Sequence, residues 1–263
     1  MGYAVPVSTR STFSQITKDP HLPLGRVMLD NRQVFRALGL TDPLAQRLGV
    51  GAFGAAYRTP LAGGSVLKFT RDPTEMQAAS VLCGKPTERV VRIYGLWAIP
   101  NTFTPKLRPW YLVHRAYLNP LSKYDADMVE LIYSLGCDKS IDLKLPRAHH
   151  HAMRDKWRTY IRAEMAEDAT TDEEGNARTF NSKDVQKTMA LLEEITLAVN
   201  EMYQHGIDWQ DFHNGNMMRG DKKQLVIGDI GWGELRQHQS MVAPPLTEDV
   251  ARAYAGQPAL RLV

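Results

Sequence analysis

Cysteine is scarce, with two in 263 residues, Cys83 and Cys137. Two distant thiols build no disulfide framework and have no metal-ligand spacing, so a reducing cytoplasm is the expected compartment. Long apolar runs are also missing. None approaches the ~20 residues of a membrane helix, and no membrane partner is expected. Residues 1–13 have no apolar core of signal-peptide length. Gly2 invites myristoylation, but Pro6 stands where a Ser or Thr is needed. Lys and Arg form no dense block, and the net charge is only +3. Nucleic acid is therefore not an expected partner. No internal repeat is visible.

What is present is an ordinary globular composition, 43% hydrophobic and 23% charged. The length suffices for one large domain or two small lobes with a real core. Three regions follow from the patterning. Residues 1–44 read as an N-terminal extension, polar and arm-like through residue 27. A short helix is expected over 31–38, opened by an Asp30/Gln33 capping box and stopped by Gly39. Residues 45–117 read as about five strands and one helix, a small antiparallel sheet with a helix on it. The strands are 45–57 with a glycine turn inside, 65–70, 90–100 and 110–117, with a hairpin loop between the last two. Alternation puts Val66 and Lys68 on one face and Leu67 and Phe69 on the other. Asp72-Pro73-Thr74-Glu75 opens a helix running to about Leu82.

Residues 118–263 turn helical. Segments 122–135 and 148–167 are helix candidates, and 168–181 is an acidic linker. The clearest helix is 182–204, where Val185, Met189, Leu192, Ile195, Val199 and Met202 make one stripe, ended at Gly206. Leu225–Ile227 is a buried strand with Met217-Met218 as its partner, and a weak helix is expected from Thr247 to Tyr254. His149-His150-His151 point around a helix in different directions, so an exposed helix start is the expectation rather than a metal site.

Three stretches carry chemistry. Gly49, Gly51 and Gly54 make a glycine-rich turn, with Phe53 inside it, that lets backbone N–H groups approach phosphate oxygens. A dinucleotide turn would need a helix next, but a strand follows. Lys68 sits in an otherwise apolar strand and needs an anion or an outlet to water. Glu75 is the best candidate partner, although its position also suits a purely local capping role. Residues 205–231 then bring Asp211, Asn216 and Asp229 onto loops beside buried strands. Two acids and one amide can hold a magnesium ion and a polyphosphate.

The string from Leu48 to Tyr57 resembles the glycine loop of protein kinases. Asp211 and Asn216 have the spacing of the kinase catalytic loop, and Asp229-Ile230-Gly231 resembles the kinase Asp-Phe-Gly element. The chain is thus identified as resembling the protein-kinase-like superfamily over residues 48–231. The resemblance implies an α+β, two-lobed protein-kinase-like fold: a small antiparallel sheet N-lobe at 45–117 and a mainly helical, truncated C-lobe at 118–263, with ATP between them. It implies ATP and Mg2+ as cofactors. Asp211 would orient the acceptor hydroxyl and take its proton, Lys68 would contact the phosphates and pair with Glu75, and Asn216 and Asp229 would ligate the metal. Gly49, Gly51, Phe53 and Gly54 would line the phosphates, and the backbone at His114 and Ala116 would face adenine as a hinge.

Departures from the family bear on the acceptor. Trp209-Gln210 replaces the usual His-Arg, and no Ala-Pro-Glu element follows Asp229. Asp211-Phe212-His213-Asn214-Gly215-Asn216 is similar to the catalytic loop of aminoglycoside and choline phosphotransferases. Protein Ser/Thr is the first acceptor expected. A small hydroxylated molecule is the alternative, with Asp125, Asp127 and Glu130 expected to form an acidic pocket near Asp211, and a partner-binding pseudokinase is a third reading. The insert 118–181 is expected to build the acceptor site or a packing surface.

Overall fold

A computed structural model of the chain describes residues 24–51, 53–100, 109–137, 141–167, 180–231, 233–236 and 243–257. The expected hairpin loop at 101–108 and most of the acidic linker, 168–179, fall outside the described residues. The protein is mixed α+β and separates into two compact units. One holds residues up to 85, 92–117 and those from 240 on, and the other holds 86–91 and 118–239. No helix among the described residues is long and apolar enough to cross a membrane.

The first unit is built on a five-stranded antiparallel sheet. Its strands are β1 (Arg47–Gly51), β2 (Gly54–Arg58), β3 (Val66–Thr70), β4 (Ile93–Ala98) and β5 (Tyr111–Arg115), in the order β1-β2-β3-β5-β4. Alternation along β3 decides the core. Leu67 and Phe69 are fully buried, and register sets Leu67 beside Tyr57 and His114, and Phe69 beside Leu112. Helices α1 (Leu24–Asp30) and α2 (Arg32–Ala37) contribute Leu24, Met28 and Phe35 to this core. Phe35 meets Phe69 edge-on at 5.0 Å between ring centroids. A one-turn helix α3 (Pro43–Gln46) leads into β1, and α4 (Pro73–Leu82) packs against β4 and β5.

Three expectations change here. The arm is helical from Leu24, because Leu24 and Met28, four residues apart, both reach zero exposure against the sheet core. Asp30 ends α1 instead of capping the next helix. Asn31 takes that position, with its amide donating back to the Val27 carbonyl and no side-chain cap bond. The tail differs from its grouping with the helical region. Ala98 donates to the Pro244 carbonyl at 2.9 Å and Leu246 to the Ala98 carbonyl at 2.8 Å, so the tail pairs beside β4. It continues into α5 (Glu248–Ala255), the last helix of the sheet unit, where Thr247 caps Val250 and Tyr254 meets the Trp97 ring edge-on at 4.6 Å.

The second unit is organised by three helices, α6 (Lys123–Cys137), α7 (Arg147–Glu167) and α8 (Ser182–Gln204). The apolar stripe of α8 is buried as its periodicity predicts, and Asn181 with Asp184 forms a reciprocal capping box. The insert supplies Met128, Ile132 and Leu135 from α6 and Trp157, Ile161 and Met165 from α7. His150 is 7% exposed, bonds the Leu145 carbonyl and packs edge-on against Trp157, so it is a buried packing residue rather than part of an exposed helix start. Two small ladders follow α8: β6 (Ile207–Trp209) with β9 (Gly233–Leu235), and β7 (Met217–Arg219) with β8 (Leu225–Ile227). The strand expected over 90–100 is shorter than predicted. Val91 donates to the Ile227 carbonyl and Ile227 to that of Arg89, both at 2.9 Å, which takes Val90 and Val91 out of β4 and onto β8.

Met28→Ala should lower unfolding free energy by roughly 2–5 kcal/mol, the usual cost of a buried large-to-small change, read from the urea midpoint. A loss below about 0.5 kcal/mol, the surface range, would show that α1 is not part of the core.

Candidate functional site

In the sheet unit, the three glycines have different reasons to be glycine. A Cβ on Gly54 would stand 1.8 Å from the Phe69 carbonyl oxygen, so strand packing alone demands it. A Cβ on Gly49 or Gly51 would meet nothing within 4 Å, and neither has positive φ. Nothing among the described residues requires glycine at these two positions. Their backbone lies on an exposed edge strand, with Phe53 42% exposed in the turn. This is a surface that an external group can approach closely.

Lys68 projects from the middle of β3, on the face opposite Leu67 and Phe69. Its Nζ lies 2.7 Å from Glu75 Oε1, with side chains 14% and 3% exposed. The local capping role for Glu75 does not occur. A capping box would need the Asp72 N–H, which donates to Thr70 Oγ1 at 3.0 Å, while Asp72 itself caps Thr74 at 2.8 Å. The pair therefore joins strand to helix across a mostly apolar layer.

His114 and Ala116 are placed otherwise than as free hinge groups. His114 stands inside β5, opposite Leu67 of β3 and Gly95 of β4, and its side chain is wholly buried. Ser65 Oγ donates to the Leu61 carbonyl, so it accepts from His114 Nε2–H. His114 Nδ1 is then the acceptor for the Tyr254 hydroxyl at 2.7 Å. Burial lowers the His114 pKa from 6.5 to about 4 and raises that of Tyr254. The Ala116 N–H donates to the Arg92 carbonyl at 2.9 Å.

In the helical unit, α8 stops at Gly206, whose φ of +81° turns the chain into β6. Trp209 and Phe212 are buried on either side of Gln210 and Asp211. A single 3-10 turn, Asn214–Asn216, then returns the chain to β7. Asn216 holds the loop together. Its Nδ2 donates to the Asp211 carbonyl at 2.8 Å and to Asp211 Oδ2 at 2.7 Å. Its own carbonyl accepts from Gly228 at 2.8 Å and Asp229 at 3.3 Å. Asp211, Asn216 and Asp229, distant in sequence, thus meet through one residue. With both amide hydrogens on Asp211, the Asn216 Oδ1 faces away as a hard oxygen donor. Asp229 Oδ1 accepts from the Gly231 N–H at 3.2 Å. His213 accepts from Gly215 at Nδ1 and sets Nε2 3.9 Å from Asp211 Oδ1.

The expected acidic pocket is not formed. Asp125 is held by Arg219 at 2.8 Å, and Arg219 also binds Glu194 at 2.7 Å. A cavity of about 490 Å³ does open beside the Asp211 loop, walled by Tyr133, Leu143, Val199, Trp209 and Phe212 among others, and none of Asp125, Asp127 or Glu130 lines it. Sequence reasoning missed this wall because its residues come from four separate segments with no shared motif.

No group of three or more His, Cys, Asp or Glu side chains that could hold a metal exists among the described residues. One amide oxygen and one carboxylate suit magnesium only when phosphate oxygens and water complete its shell, which is how this ion is commonly held. Comparison with protein-family models and with curated proteins finds no match.

Gly54→Ala should cost several kcal/mol because backbone must move, whereas Gly49→Ala and Gly51→Ala should stay within about 0.5 kcal/mol, as exposed changes do. Equal losses at all three positions in urea unfolding would contradict this division. His114 is neutral in the folded chain, and the unfolded chain takes up its proton first as pH falls. Stability is therefore present above pH 6.5 and lost toward pH 4, by roughly 3 kcal/mol. His114→Gln should flatten that part of the pH profile, and an unchanged slope would assign the loss elsewhere.

Proposed function

We propose that the chain is an ATP-dependent phosphotransferase of the protein-kinase-like superfamily, delivering the γ-phosphoryl group to a hydroxyl. The sheet unit would be its N-lobe and the helical unit its truncated C-lobe. The observation that carries the reading is the Lys68–Glu75 pair, at 2.7 Å with both side chains largely buried. A lysine on the third strand paired to a helix glutamate is the arrangement that kinases use to hold phosphates. The glycines at 49 and 51, which no neighbour among the described residues requires, support it.

Asp211 has the chemistry of the base. Its carboxylate is oriented by Asn216 and remains one-third exposed, which leaves it able to accept the proton of an acceptor hydroxyl. Asn216 Oδ1 and Asp229 would hold magnesium, which when bound neutralises phosphate charge. Protein Ser/Thr is the acceptor that the glycine-turn resemblance favours. A small hydroxylated acceptor is favoured by the catalytic-loop resemblance and by the cavity beside Trp209 and Phe212.

Full-length protein with magnesium and γ-labelled ATP should transfer label to a hydroxyl acceptor. Asp211→Asn should keep ATP binding and lower kcat by about 10²- to 10⁴-fold, the usual worth of a general base. Asp229→Ala should abolish the magnesium dependence of ATP binding. Failure of the wild-type chain to bind magnesium-ATP, or transfer unaffected by Asp211→Asn, would sink the proposal.

A further inference from the structure

Phe212 is buried, and its neighbours Asp211 and His213 both turn outward, with side chains 34% and 43% exposed. Asp211 Oδ1 and His213 Nε2 stand 3.9 Å apart. That is too long for a hydrogen bond, and neither group is free to close the gap.

Each side chain is pinned from its far side. Asp211 Oδ2 accepts from Asn216 Nδ2 at 2.7 Å. His213 Nδ1 accepts from the Gly215 N–H at 3.1 Å. Gly215 makes that contact possible, because a Cβ there would stand 2.9 Å from His213 Cε1. One short turn, Asn214–Asn216, closes both bonds: His213 caps its start and Asn216 is its last residue. The loop therefore sets the gap, not the mutual attraction of the two groups.

The same bonds fix what each edge of the gap offers. With Nδ1 accepting, the ring hydrogen is on Nε2, so His213 presents a donor. Asp211 Oδ1 presents an acceptor. Two ordinary hydrogen bonds of about 2.8 Å span such a gap through a single oxygen. That oxygen must donate on one side and accept on the other. A hydroxyl does both, whereas an alkylammonium cannot accept and a carboxylate cannot donate.

We infer that the gap between Asp211 and His213 is where the acceptor hydroxyl sits, and that His213 is a second side chain touching the reacting oxygen. The assignment rests on the phosphotransferase reading and names the acceptor's position in that site. The hydroxyl hydrogen points at Asp211 Oδ1. One oxygen lone pair takes the His213 Nε2–H, and the other is left for phosphorus. In the transfer the O–H bond breaks and its proton goes to Asp211. The oxygen bonds to the γ-phosphorus, the bond from that phosphorus to the β–γ bridging oxygen breaks, and ADP leaves. His213 exchanges no bond of its own. It holds the oxygen in line, which raises rate through orientation.

Asparagine and glutamine separate the two ring nitrogens. His213→Asn puts an oxygen where Nδ1 lies, which keeps the Gly215 bond and leaves no donor at the gap. His213→Gln puts an amide N–H where Nε2 lies. The full chain is given magnesium-ATP with water, glycerol and a Ser-containing peptide as the hydroxyls on offer, and phosphate release and transfer are measured. His213→Asn should keep the urea midpoint and the KM for ATP, and lower kcat about 10- to 100-fold on whichever hydroxyl the wild type uses. His213→Gln should recover most of that loss. In the ligand-free chain, nitrogen-15 spectra of the histidine rings should show a ring with its hydrogen on Nε2 that His213→Gln removes. A hydrogen on Nδ1 instead, or wild-type kcat in folded His213→Asn, overturns the inference. Equal losses in the two variants overturn it too, as does a raised KM for ATP at unchanged kcat, which would put His213 on the nucleotide. If Asp211→Asn stops transfer and His213→Asn does not, the phosphotransferase reading stands without this role for His213. No turnover on any hydroxyl ends both.

Discussion

A lysine in the middle of a strand whose neighbours are Leu67 and Phe69 is an expensive residue to bury. It is tolerated because Glu75 meets it at 2.7 Å. The geometry follows from the register. Odd-numbered residues of β3 fill the core with Phe35, Tyr57 and Leu112, which forces Lys68 to the other face. There α4, capped by Asp72 and begun by Pro73, brings Glu75 to it. Breaking such a pair leaves one uncompensated charge and costs about 3–5 kcal/mol. The pair therefore constrains strand, helix and the turn between them to one arrangement. A buried ion pair is weak evidence for stability as such, and replacing both partners with apolar residues is often neutral. What it retains is a cation beside an exposed glycine strand, which suits an anionic ligand.

The helical unit uses a neutral residue for a comparable purpose. Asn216 spends its amide hydrogens on Asp211 and its carbonyl on the backbone at Gly228 and Asp229. A carboxylate at position 216 could not donate the two bonds to Asp211, whereas the bonds from Gly228 and Asp229 go to the backbone carbonyl, which any residue supplies. An amide directs the Asp211 side chain and keeps an oxygen to spare. The same loop anchors itself through Trp209 and Phe212, and those anchors double as cavity wall.

Local pattern made much of this legible. Period-two alternation identified β3 and its Lys68 face, and the 3.6-residue stripe from Val185 to Met202 identified α8 with its ends. Met217-Met218, the partner expected for Leu225–Ile227, pairs with it in an antiparallel ladder. What failed did so where partners are remote. Val90 and Val91 read as the start of β4 because they are β-branched and apolar, yet Ile227 captures them. The helix expected from Thr247 to Tyr254 forms at Glu248–Ala255, but the tail that carries it belongs with the sheet unit rather than the helical region, because it pairs beside Ala98 of a strand far earlier in the chain. The burial of the His114 side chain against Ser65 and Tyr254 likewise depends on residues far from it in the chain, Tyr254 among them in that same tail.

The site divides along the same line. Sequence by itself determined the chemical inventory: which glycines, which lysine, which acids and amide, and the helices and strands that carry them, because propensity, capping and periodicity act over a few residues. Only the tertiary structure decided that Glu75 serves Lys68 rather than its own helix end, that Asp125 is held by Arg219 instead of lining a pocket, and that Tyr133, Trp209 and Phe212 wall one cavity beside the Asp211 loop. Those outcomes turn on distances of a few ångströms between segments far apart in the chain, where hydrogen-bond and ion-pair energies fall steeply with separation. Residue order alone carries no record of such distances.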